Sequence, residues 1–123
     1  MEKSKIKRVS PILAVASMKE TIAFYTEVLG FTGTDEDVPY AVVERDGCTV
    51  HLTLAADESV LEAVRGHAEI YIEVDDVEPL WEHAQKFSEK YKMKGLIEQP
   101  YGMKEFHVND PNDCLVFVGQ LMS

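Results

Sequence analysis

Residues 67–91 read HAEIYIEVDDVEPLWEHAQKFSEKY, and they decide the fold because they repeat, in order and kind, what residues 8–30 have already done. In EIYIEV, Ile70, Ile72 and Val74 fall on one face and Glu69, Tyr71 and Glu73 on the other, the two-residue period of a half-buried strand. A helix follows. Asp76 stands where a cap belongs, Pro79 is tolerated in the first turn, and Leu80, Ala84, Phe87 and Tyr91 recur at helical spacing. The earlier segment, RVSPILAVASMKETIAFYTEVLG, also runs strand then helix. Pro11 sets its strand at an edge or a bulge. Ser17 and Glu20 form an S-x-x-E capping box, Met18, Ile22, Tyr25 and Leu29 make the buried stripe, and Gly30 supplies a left-handed stop.

The remaining segments complete the repeat. FTGT begins a short strand, and YAVVERDGCTVHLTL (40–54) reads as a hairpin turning at Asp46-Gly47. Within TVHLTL, Val50, Leu52 and Leu54 oppose Thr49, His51 and Thr53. DESVLEAV (57–64) is a polar linker with about one helical turn. The tail GLIEQPYGMKEFHVNDPNDCLVFVGQ (95–120) holds an extended segment and a second hairpin turning through NDPND. The economical reading is one α+β domain made of two βαβββ modules, about 8–56 and 67–120. If the helices cover one side of a curved sheet, the other side carries Thr49, His51, Thr53, Glu69, Tyr71 and Glu73. That face is too polar for a dry core. With Tyr40, Tyr71 and Tyr101 beside it, such a concavity suits a small-molecule ligand.

Composition narrows the partners. Lys and Arg number 12 against 22 Asp and Glu, a formal charge of −10, which disfavours nucleic acid and anionic membrane surfaces and favours cations. No apolar run approaches the ~18 residues of a membrane span, and MEKSKIKR lacks the apolar stretch of a signal peptide, so a cytoplasmic protein is expected. Cys48 and Cys114 lie in strands without CxxC spacing and are expected to be free, buried thiols.

Three segments, PILAVASMKETIAFYTEVLGF, HAEIYIEVDDVEPLWEHA and EQPYGMKEFHVNDPNDCLVFVG, together resemble the vicinal oxygen chelate superfamily, which includes glyoxalase I, extradiol dioxygenases and bleomycin-resistance proteins. FYTEVLGF and NDPND are the most specific pieces, the latter similar to a D-P-x-G turn with Asp113 in place of glycine. The resemblance implies the glyoxalase/bleomycin-resistance fold: two βαβββ modules forming a cup-shaped sheet, helices on its outer side, completed in a homodimer. The four ligand positions of the superfamily's metal enzymes fall on Ser10, His51, Glu69 and Phe117. Only His51 and Glu69 are possible ligands there, fewer than the three or so a catalytic centre takes from protein. His67 and His107 lie off these positions. No metal and no cofactor is expected.

Within the superfamily the chain most resembles the bleomycin-resistance proteins, small acidic dimers that sequester a cationic glycopeptide without altering it. PYGMKEFHVNDP is similar to their P-W-G or W-G-G segment, which puts Tyr101 at the aromatic position that stacks on the drug and Met103 close by. The expectation is therefore a binding protein with no catalytic residue. Tyr101 and Tyr71 offer aromatic faces, and Glu69 and Glu73, with Asp35 to Asp37, hold positive charge. His51 is a hydrogen-bonding group on the cup floor or a partner of Glu69, while Met103 and Tyr40 complete the lining. The alternative is a glyoxalase-like or dioxygenase-like lyase, isomerase or oxygenase with an altered metal site.

Overall fold

Polar–apolar alternation and the two helical stripes generate the elements in the order anticipated. In the computed structural model, which describes residues 3–33 and 38–122, these are β1 (Ile12–Val15), α1 (Met18–Glu27), β2 (Tyr40–Arg45), β3 (Cys48–Leu54) and α2 (Glu58–Val64). There follow β4 (Glu69–Glu73), α3 (Val77–Ala84) with a 3-10 turn at Gln85–Phe87, β5 (Met93–Glu98), β6 (Met103–Asn109) and β7 (Leu115–Leu121). The strands form a three-stranded sheet, β1-β3-β2, and a four-stranded sheet, β4-β7-β6-β5.

The two sheets share one wiring rule. The strand before the helix pairs parallel with the last strand of its set, β1 with β3 and β4 with β7, and the other pairings are antiparallel. Ile12 faces His51 in one sheet as Tyr71 faces Phe117 in the other. Among the described residues the counterpart of β5 is a single bridge, Thr32 to Glu44, so residues 31–33 do not form the expected strand, and Thr34 lies outside the described residues. Gly33 shows how tightly this segment is held: a Cβ there would lie 2.9 Å from Ile22 and 3.0 Å from Val43.

The core lies between helices and sheets. Met18, Ile22, Tyr25 and Leu29 are all buried, as the helical stripe requires. Phe24 meets Tyr25 and Tyr91 edge-on, and Trp81 of α3 packs on Phe106 of β6 with ring centroids 5.1 Å apart. Burying one such aromatic or aliphatic side chain contributes roughly 1.5–3 kcal/mol. The halves are also joined by polar contacts: the Tyr25 hydroxyl donates to Asp110 Oδ2 (3.4 Å), the Ala16 amide to Asn112 Oδ1 (2.8 Å), and His83 Nε2 to the Glu27 carbonyl (2.6 Å).

Local signals are met with some exceptions. Ser17 Oγ accepts the Glu20 amide at 3.2 Å, and Asp46 and Gly47 both take positive φ in the first hairpin. Asp113 likewise sits at φ 58, the left-handed geometry that an aspartate tolerates in the second turn. Asp76, by contrast, makes no side-chain cap; the Val77 amide donates instead to Gln120 Oε1 at 2.8 Å, a residue far along the chain. The linker forms a seven-residue helix capped by Asp57 rather than one turn. Cys114 is buried and Cys48 exposed, because Cys48 opens β3 directly after the turn.

Candidate functional site, a crevice over a buried carboxylate

Alternation along β6 and β7 sends Phe106, Val108, Val116 and Val118 into the core, so Met103, Glu105, His107, Phe117 and Gly119 share the opposite face. Register then sets Tyr71 opposite Phe117 and Phe117 opposite His107, three rings in a row across β4, β7 and β6. Tyr71 stacks on Phe117 at 5.8 Å with the planes 20° apart, and the His107 ring lies 4.3 Å from Phe117. Gly119 makes this arrangement possible. A Cβ on it would come within 2.2 Å of the Tyr71 hydroxyl and 2.9 Å of Glu105 Cβ, so only glycine lets Tyr71 lie across the sheet.

Beneath the rings is Glu105, 0% exposed. The Tyr101 hydroxyl donates to its Oε1, and His107 Nε2 lies 3.3 Å from the same oxygen. The Tyr71 hydroxyl neighbours the carboxylate too, yet Oε2 is sealed from solvent without a well-aligned partner. Burial pushes the Glu105 carboxyl up, but the hydrogen bonds from Tyr101 and Tyr71 and the nearby His107 together outweigh it and leave it below its ordinary range. The reciprocal effect holds the phenolic protons in place. The hydrogen bond to Glu105, with burial and the carboxylate's charge, takes Tyr101 up to about 12, and burial followed by the same carboxylate raises Tyr71.

The sequence-expected residues divide into groups. Glu69, Tyr71 and Tyr101 come together, with Ile70 and Phe117, around an open crevice of about 360 Å³. Glu73 lies in an adjoining cavity of about 270 Å³ on the far side of β4, where Arg8, Cys48 and Thr49 from the first half meet Ile70 and Tyr71. Tyr40 and His51 are elsewhere, hydrogen-bonded to each other at 2.7 Å on the three-stranded sheet. Within the chain His51 acts as a hydrogen-bonding group toward a cross-strand tyrosine, and no ion pair joins it to Glu69 among the described residues. Met103 is half-buried on the Glu105 face of β6, opposite Leu121, and does not line the crevice. Asp35 to Asp37 lie outside the described residues.

The four superfamily ligand positions do not gather as donors. Ser10 Oγ is bonded to Thr49 Oγ1, His51 to Tyr40, Glu69 faces the crevice, and Phe117 lies in the ring stack. Among the described residues no group of three or more His, Cys, Asp or Glu is arranged to hold a metal ion, so the residues present do not fit such a centre. A larger cavity than the crevice, about 690 Å³, lies between α1 and the turn after β6. Its rim mixes Lys19, Lys90 and Lys92 with Glu20, Glu27 and Asp113, and it has no stacked aromatic wall. No helix of the described residues is long and apolar enough to cross a membrane.

Glu105, Phe117 and Gly119 are the residues that sequence reasoning passed over as site builders. A signal for the first was present: MKEFHVN alternates, and Glu105, next to the buried Phe106, has to face whatever the other side of the sheet faces.

A family model described as Glyoxalase/Bleomycin resistance protein/Dioxygenase superfamily matches residues 5–116. The chain belongs to this superfamily. Relatives called bleomycin resistance protein, from Geobacillus stearothermophilus and Staphylococcus aureus, are 28% identical over 92% of this chain and 96% of their own. Among solved structures, the bleomycin-binding protein of bleomycin-producing Streptomyces verticillus, complexed with copper(II)-bleomycin, superposes with TM-score 0.75 at 24% identity, covering 94% of this chain and 97% of that one. A glyoxalase-related enzyme from Clostridium phytofermentans superposes equally well, at 0.76 and 14% identity over 99% and 100% of the two chains. The shared fold thus serves relatives of both kinds, and the site has to decide between them.

Proposed function

We propose that this cytoplasmic protein sequesters a planar, cationic compound, bleomycin or one of like chemistry, without chemical turnover. The observation that carries this reading is the crevice itself: Tyr71, Tyr101 and Phe117 present aromatic surface in one place, with Glu69 on the rim and Glu105 beneath. Tyr71 and Tyr101 are 45% and 59% exposed, as rings awaiting a stacking partner are. The names of the curated relatives agree, and the charge of −10 favours a cationic guest.

The modules, about 8–56 and 67–120, act as one domain in this reading, and a second copy completes the cup. Ile12, Tyr40 and Val42 leave an apolar and aromatic strip uncovered on the three-stranded sheet, and Ile97 and Leu121 do the same on the four-stranded one. Patches of this kind mark association surfaces.

Calorimetry with metal-free bleomycin tests the proposal. Binding is expected to saturate, and Tyr101→Ala to weaken it about tenfold, the loss of one well-placed aromatic contact. Absence of any heat up to millimolar drug removes bleomycin as the ligand, and unchanged affinity in the variant removes Tyr101 from the site.

A further inference from the structure

We propose that Glu105 is a buried anion that makes the crevice a hydrogen-bond acceptor, so that the ligand it selects carries N–H donors, as an amidine, guanidine or protonated amine, beside its planar face. This rests on the crevice being the binding site and adds the donor chemistry of the guest and the residue that imposes it.

The case begins with cost. A buried carboxylate is disfavoured unless its lone pairs are met, and Oε2 of Glu105 is sealed without an aligned partner. Packing alone does not call for a glutamate at a position that is itself 0% exposed. The donors that Glu105 does gather are informative. Apart from His107, the donor is the Tyr101 hydroxyl, and the Tyr71 hydroxyl lies beside the same carboxylate; these are the two phenols that line the crevice. A phenol whose single proton is committed to a carboxylate offers only oxygen lone pairs to anything else, and the charge behind it strengthens that acceptor.

The rest of the lining points the same way. Glu69, Ile70, Tyr71, Tyr101 and Phe117 include no side chain with an N–H group. His107 directs Nε2 at Glu105. Lys94, in register with His107 on β5, stands three strands from Tyr71, about 14 Å at ~4.8 Å per strand. Among the five residues that line this crevice a carboxylate or phosphate ligand finds no side-chain N–H donor, and Arg8 belongs to the adjoining cavity. A planar cation with N–H groups finds the Tyr101 oxygen, polarised by Glu105, with the Tyr71 oxygen and the Glu69 carboxylate beside it.

Benzamidine and its neutral analogue benzamide, with benzoate as the anion, test the idea by NMR titration. The intact chain is expected to prefer benzamidine over benzamide by at least about tenfold, the usual scale for a charge-assisted hydrogen bond, and to ignore benzoate. Glu105→Gln keeps the shape and is expected to reduce that preference several-fold, the remainder being due to Glu69, while leaving weak benzamide binding. Tyr101→Phe, which keeps the ring, is expected to reduce the preference in part and covers the case in which E105Q does not fold. Equal binding of the two probes, an unchanged ratio in a folded E105Q, or no binding of either probe overturns the proposal. Bleomycin calorimetry separates the failures: drug binding without probe binding leaves the crevice standing and removes only donor selection, whereas loss of both removes the crevice.

Discussion

At Gly119 a missing methyl group leaves room for the Tyr71 hydroxyl, which occupies the space where a Cβ would come within 2.2 Å. Gly119→Ala therefore forces the tyrosine out and strains the neighbouring strand at Glu105. Overpacking of this kind costs about 1–3 kcal/mol, so an unfolding free energy from urea denaturation lowered by that amount is expected, together with displaced Tyr71 ring resonances and weakened ligand binding. A variant as stable as the parent with Tyr71 unmoved contradicts the geometry. Only part of this was legible in the sequence. Tyr71, Glu69 and Tyr101 are recognisable as site residues from alternation and from the bend after Pro100. Gly119 and Phe117 acquire meaning only from register, because which residue of β7 lies opposite Tyr71 depends on a pairing between distant segments. The partner of His51 is hidden for the same reason: the alternation of TVHLTL gives its face, but not that Tyr40 stands beside it.

The elements were easier to read than their joints. Helix α1 begins where Ser17 accepts the Glu20 amide at 3.2 Å, a local signal written within four residues. Helix α3 begins at Asp76, an equally good cap by type, yet Gln120 receives the Val77 amide instead. The contrast gives a paired expectation. Ser17→Ala is expected to lower stability by about 1 kcal/mol, the ordinary worth of a cap, and Asp76→Ala to change it by less than about 0.5 kcal/mol, the range for a surface residue without such a role. Chemical denaturation of both variants checks this, and a larger loss for D76A reverses the assignment. The reduced strand at residues 31–33 follows the same rule. Its composition permits extension, but the close approach of Gly33 to Ile22 and Val43 is a fact of packing that periodicity does not contain.

Across the whole molecule, the repeated order of strand, helix and strands was visible because each half must bury one face of its sheet beneath its own helix. What the opposite faces do was not, since both alternate in the same way. The structure differentiates them: one carries the Tyr40–His51 pair, the other the Tyr71–Phe117–His107 row over Glu105. Relatives at 28% identity carry the name bleomycin resistance protein, and in the function proposed for this chain a hidden charge and exposed rings select the guest. A crystal structure of the chain with bound bleomycin tests this most directly. The account predicts a planar group of the drug against Tyr71 and Tyr101, with ring centroids about 4.5–7 Å apart. Drug bound only beside Tyr40 and His51, or in the cavity between α1 and the turn after β6, contradicts it.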